Sequence, residues 1–263
     1  MRMRSLLTYF SPWLHILKLS GLWLLAGLTA CALPASPSAS SKPSTPSPRL
    51  ALASAYYQNG QYRIALDESR KVLAAQPDEP QALGLQGLIY ARLNEPILAQ
   101  RSFLRAEQLA GQDPDLAHNH GLFLCEQGRY SAAFQRFDLA VNQPLYADKA
   151  KTWWVWGVCA QKSGDENAAQ NLWVQSLSLK PGAEPALALA RSYQQQKLTQ
   201  RASEVLATIN STNAATAETL WLGIQWARKN GEFETLQRYA LQLQKRFATS
   251  SQWDYFQREA YDD

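Results

Sequence analysis

Residues 114–140 read PDLAHNHGLFLCEQGRYSAAFQRFDLA, and the spacing within this stretch decides the architecture. Gly121 and Leu124 sit at helical intervals, Gln127-Gly128 interrupts, and Tyr130, Ala133, Phe137 and Ala140 resume the helical period. The pattern is that of two helices joined by a tight turn. Gly121 in the first helix and Ala133 in the second are small where the two must approach closely.

The same pattern recurs outward from this stretch. One step of 34 residues toward the N-terminus, from Pro80, gives Gly87, Tyr90, Ala99, Phe103 and Ala106. A second step, from Pro46, gives Ala53, Tyr56, Gly60, Tyr62, Ala65, Val72 and Pro77. Toward the C-terminus the unit from Ala150 supplies Trp153, Gly157, Ala160, Gly164, Ala169, Trp173 and Pro181. Its displacement is 36, which places a two-residue insertion between Gln143 and Lys149. Ala183 opens a fifth unit with Ala186, Ala190, Tyr193 and Ala202. Thr216 opens a sixth with Gly223 and Trp226, and this unit loses register after Gly231. A period of 34 with these small and large places is the tetratricopeptide (TPR) signature. The predicted fold is an all-α, right-handed α-solenoid of about six helix-turn-helix repeats, some 12 helices with no sheet, spanning residues 49–263.

Composition narrows the function. The sequence has 26 Lys+Arg and 22 Asp+Glu, a net charge of +4. Without residues 1–30, which hold Arg2, Arg4 and Lys18 and no acid, the charge is +1. That balance argues against a nucleic-acid partner. Three cysteines are too few for a disulfide scaffold.

The N-terminus reads as an address. A basic start precedes the apolar run Leu19 to Leu28, too short to span a bilayer as a stable helix. The run ends in Leu28-Thr29-Ala30-Cys31, which resembles a bacterial lipobox. Residues 1–30 are expected to be a lipoprotein signal peptide, with Cys31 the acylated first residue of the mature protein. Ala32, in the place where Asp would favour inner-membrane retention, suggests the outer membrane. Residues 31–48, rich in Pro and Ser, form a tether with a reach of roughly 50 Å.

Little in the repeats suggests chemistry. There is no GxSxG, HExxH, phosphate loop or paired-carboxylate motif, so no catalytic residue, metal or cofactor is assigned. His118 and His120, two apart on one helix, cannot share a metal and are read as ordinary groove-lining residues. Cys125 and Cys159 fall at different repeat places on helices whose axes should stand 8–10 Å apart, so two buried thiols are expected rather than a bridge. First helices of such repeats line a concave groove that binds peptides or another protein. The candidate contact residues are Tyr57, Leu88, Arg92, His118, Asn119, Leu122 and Trp154. Trp153 and Trp156 are assigned to the core. Gly84 and Leu88 stand where a carboxylate clamp needs Lys and Asn, so an apolar segment is the expected ligand rather than a partner's C-terminal carboxylate.

Beyond the generic repeat, HNHGLFLCEQGRY (118–130) resembles a segment of the PilF/PilW family of type IV pilus biogenesis lipoproteins. So do the insertion Leu145-Tyr146-Ala147-Asp148 and the tail elements Leu222-Gly223-Ile224, Leu241-Gln242-Leu243 and Tyr255-Phe256-Gln257. Ala147 replaces a usual Pro, and His118 and His120 stand where Asn and Tyr are common. The resemblance implies a pilotin: an outer-membrane lipoprotein that binds the pilus secretin subunit and promotes its assembly, with no small-molecule substrate. A different TPR lipoprotein adaptor, for example one docking peptidoglycan enzymes, is the other reading the residues allow.

Overall fold

A computed structural model of the protein describes residues 47–261. The expected signal peptide, Cys31 and nearly all of the expected tether lie outside the described residues. Thirteen helices and no strand occur among the described residues. They pair as α1 (Pro48–Gln58) with α2 (Tyr62–Ala75), α3 (Pro80–Arg92) with α4 (Pro96–Ala110), and α5 (Pro114–Glu126) with α6 (Tyr130–Val141). Next come α7 (Lys149–Lys162) with α8 (Glu166–Leu179), α9 (Ala183–Gln195) with α10 (Thr199–Asn210), and α11 (Ala217–Asn230) with α12 (Phe233–Phe247). The short α13 (Ser251–Gln257) closes the stack. This is an all-α TPR solenoid.

Local chemistry starts the helices. Pro48, Pro80, Pro96 and Pro114 stand at first-turn positions, where a missing N–H costs nothing. Ser47, Asp113, Asp165, Thr216 and Ser250 accept bonds from first-turn amides. The tight turns within the six pairs each place one residue in the left-handed region: Gly60, Asn94, Gly128, Gly164, Lys197 and Gly231. Glycine takes that conformation without steric cost, so Lys197 is the costly member.

The core is a column of small-against-large contacts. Gly87 faces Phe103, Gly121 faces Phe137, Gly157 faces Trp173 and Gly223 faces Tyr239. Phe103, Phe137 and Trp173 are fully buried, each contributing about 1.5–3 kcal/mol of hydrophobic stabilisation. In repeats one and five the equivalent small residue is Ala53 or Ala190, and the facing residue shrinks to Ser69 or Leu206. In repeat five the added methyl of Ala190 is offset by the smaller Leu206, whereas in repeat one both places are small.

Two expectations are corrected at the C-terminal end. The sixth repeat keeps its register beyond Gly231, because Tyr239 seats on Gly223 as its counterparts do. Thr235, in the place usually held by Ala, masks this in the sequence. The thirteenth helix adds to the expected twelve. Trp253 and Phe256 of α13, with Tyr261 beyond it, pack on the cluster around Leu220, Trp221 and Ile224. Tyr261 stacks on Trp221 at 5.6 Å, and Arg228 lies 3.8 Å over its ring. This end piece covers the apolar face that a seventh repeat would otherwise cover.

Candidate protein-binding face

The first helices of the repeats pack directly on one another along the row α1, α3, α5, α7 and again at α9 and α11, whereas the second helices form no such row. The first helices therefore lie on the inner side of the superhelix.

Tyr57 on α1, Arg92 on α3 and Glu126 on α5 form a polar stripe across three repeats. Arg92 donates to Glu126 at 3.1 Å. Partial burial works against the Arg92 charge, but Glu126 and the Tyr57 hydroxyl outweigh it and raise its pKa. Leu88 is half-buried and leans on the cluster around Phe123 and Leu124. Asn119 and Leu122 are half-buried on α5. Trp154 stands apart from this stripe. It packs on the cluster of Ala160, Trp173 and Leu189 and lines a cavity of about 360 Å³ bordered by α7, the end of α8 and α9.

His118 is corrected. It does not line the inner face; it is only 4% exposed. Its Nδ1 lies 2.8 Å from the Thr152 hydroxyl of α7, which also lies 3.0 Å from the Tyr146 hydroxyl. Burial, with the nearby Lys151 charge second, lowers the His118 pKa to about 4. Tyr146, also buried, has its pKa raised to about 12 chiefly by desolvation. These three side chains fasten the inserted segment 142–148 to the core. Its Leu145 nevertheless points almost fully into solvent. His120 faces away from the inner surface too, stacked on Phe103 at 5.1 Å and bonded to Glu107 at 2.7 Å. Glu107 also pairs with Arg136 at 3.0 Å. Repeat place alone puts His118 in the groove, and place does not register the neighbouring helix that covers it.

The thiol expectation is also corrected: Cys125 and Cys159 form a disulfide between α5 and α7. Axes 8–10 Å apart suggest too wide a gap. Facing Cα atoms, however, lie about 2.3 Å inside each axis, so they approach far more closely than the axes do. Their offset of two repeat places adds only about 3 Å along the helix. The Cα atoms stand 5.9 Å apart, well inside bridging range.

Trp153 and Trp156, assigned to the core from sequence, are half-buried. They stack on each other at 5.2 Å, and Trp156 leans on Phe134 and Phe137. The residues that sequence reasoning missed are Lys151, Lys180, Pro181 and Pro185, which border the cavity beside Trp154. No motif announces them, because they are spread over α7, the end of α8 and α9 and meet only in the folded stack.

Helix pairs of this repeat type, with an accessible inner face, define a TPR solenoid of the protein-binding class. The protein is homologous to "Type IV pilus assembly protein PilF" of Pseudomonas aeruginosa, 26% identical over 207 residues that span 78% of this sequence and 81% of PilF. It superimposes on the solved structure of Pseudomonas aeruginosa PilF with a TM-score of 0.63 at 25% identity, covering 80% of this protein and 96% of that one. For the crystal structure of PilW, described as a widely conserved type IV pilus biogenesis factor, the TM-score is 0.60 at 25% identity, covering 79% and 96%. No protein-family model matches the sequence. In sequence and in fold the protein is thus similar to the type IV pilus biogenesis proteins PilF and PilW.

Proposed function

We propose that this protein is an outer-membrane lipoprotein pilotin. It is acylated at Cys31, faces the periplasm, and binds the pilus secretin subunit through the repeats so that the subunit reaches the outer membrane and multimerises there. The observation that carries the reading is the match to PilF across nearly the whole repeat region. The lipobox Leu28-Thr29-Ala30-Cys31 and the Pro/Ser tether support the anchoring half. Acyl groups supply membrane affinity and the repeats supply client affinity. Joining the two through a tether raises the client's effective concentration at the membrane. After lipidation no covalent step is required.

Deletion of the gene is expected to abolish heat-resistant secretin multimers and surface pili together. Multimers that persist in the deletion strain would overturn the pilotin role. Separately, Cys31→Ser should leave the repeats folded and move the protein out of the outer-membrane fraction.

A further inference from the structure

The cavity beside Trp154 combines apolar walls with a basic rim. It lies between the start of α7, the end of α8 and the start of α9 and holds about 360 Å³. Its walls are the Trp154 indole, Pro181 and the buried Pro185. Trp154 is itself held in place by Trp173 and Leu189. At the rim stand Lys151 and Lys180, both exposed, and neither forms an ion pair among the described residues. Glu184 is the single acid in the lining. Asp115 feels the Lys151 charge only from beyond contact distance.

We infer that this notch docks an acidic, extended segment of a partner protein. An apolar side chain of the segment inserts between Trp154 and the prolines, and flanking carboxylates engage Lys151 and Lys180. A fixed aromatic anchor in a preformed recess is the usual centre of binding energy, because it loses little conformational entropy on docking. Two lysines without acid partners on its rim select the sign of the incoming charge. The recess is concave, which suits an inserting peptide; an anionic membrane surface would need a protruding one. The identity of the partner as the secretin subunit rests on the pilotin reading; the chemistry of the segment does not.

The test uses the full, acylated protein in cells with benzoylphenylalanine at Pro181. Irradiation should join this position to a secretin segment bearing Asp or Glu within a few residues of an apolar anchor. Lys151→Glu with Lys180→Glu should cut the yield at least tenfold at an unchanged melting temperature, since both lysines are exposed. Trp154→Ala should also reduce it. Replacing the partner's acids by Lys should restore capture by the double variant.

A crosslink to a neutral or basic segment would overturn the inference, as would a yield indifferent to charge reversal. So would binding of the unacylated Cys31→Ser protein to phosphatidylglycerol vesicles through these lysines with no peptide crosslink. If the charge-swapped pair is recovered with a different protein while secretin multimers survive gene deletion, the notch stands and the pilotin reading falls. If multimers vanish on deletion but lysine reversal changes nothing, the notch falls and the pilotin reading stands.

Discussion

The Phe137 ring occupies the space a side chain on Gly121 would need: a β-carbon there would lie 2.7 Å from Cε1 of the ring. The contact joins the two helices of the third repeat at their closest approach. Gly121→Leu should therefore destabilise the domain by about 3 kcal/mol or more, because a dense core absorbs added atoms only by strain. The fifth repeat solves the same problem with Ala190 and Leu206. The combination of Gly121→Ala with Phe137→Leu should consequently be milder than Gly121→Ala alone. Thermal or urea unfolding of the three variants checks this order, and an unaltered melting temperature for Gly121→Leu would refute the repeat register.

The Cys125–Cys159 bridge closes a loop with a sequence separation of 34. Loop-closure entropy removed from the unfolded state amounts to about 3–4 kcal/mol at this length. Replacing both cysteines by Ser should lower unfolding stability by about that amount. The urea midpoint of the native protein should fall similarly in reductant, whereas the midpoint of the double variant should not respond to reductant.

His118 gives the domain a pH dependence of known sign. Its pKa is lowered in the fold from 6.5 to about 4 by burial, with Lys151 adding to the effect. Between these values the unfolded state binds the proton and the folded state does not. Stability from the neutral imidazole is thus complete above about pH 6.5 and is lost as pH falls toward about 4, in all by roughly 3 kcal/mol. His118→Asn should flatten the difference in unfolding free energy between pH 7 and pH 4.5 relative to the native protein. Equal slopes for the two proteins would exclude this origin.

Lys197 holds a left-handed backbone, φ 62°, at a turn where four other repeats use Gly. Lys197→Gly should stabilise the fifth repeat by about 0.5–1 kcal/mol, the steric relief exceeding the entropy cost of glycine. Chemical denaturation would register the change, and amide exchange should localise it to α9 and α10.

The architecture was legible because its determinants are local and periodic. Glycine at 87, 121, 157 and 223, large residues sixteen further on, and turn residues between them recur at a nearly constant interval, so sequence distance alone paired the right helices. The sixth repeat blurred because Thr235 and Gln242 replace the two small Ala residues of its second helix. The candidate site was legible in part. Arg92 and Tyr57 meet as neighbours on the inner face, and Trp154 sits beside a recess. His118 carried the same place signal and is buried.

What the residues alone determined is the helix pairing, the repeat register and the small-against-large column, each set by contacts within one repeat. What only the tertiary structure decided lies between repeats. It includes the Cys125–Cys159 bridge, the His118–Thr152–Tyr146 network that holds the insertion, and the cavity bordered by α7, the end of α8 and α9 that gathers Trp154, Lys151 and Lys180. The physical reason is that repeat periodicity specifies where a side chain leaves its own helix. How closely the next helix covers that side chain depends on the rotation and spacing of successive units, which emerge from the summed packing of the whole stack.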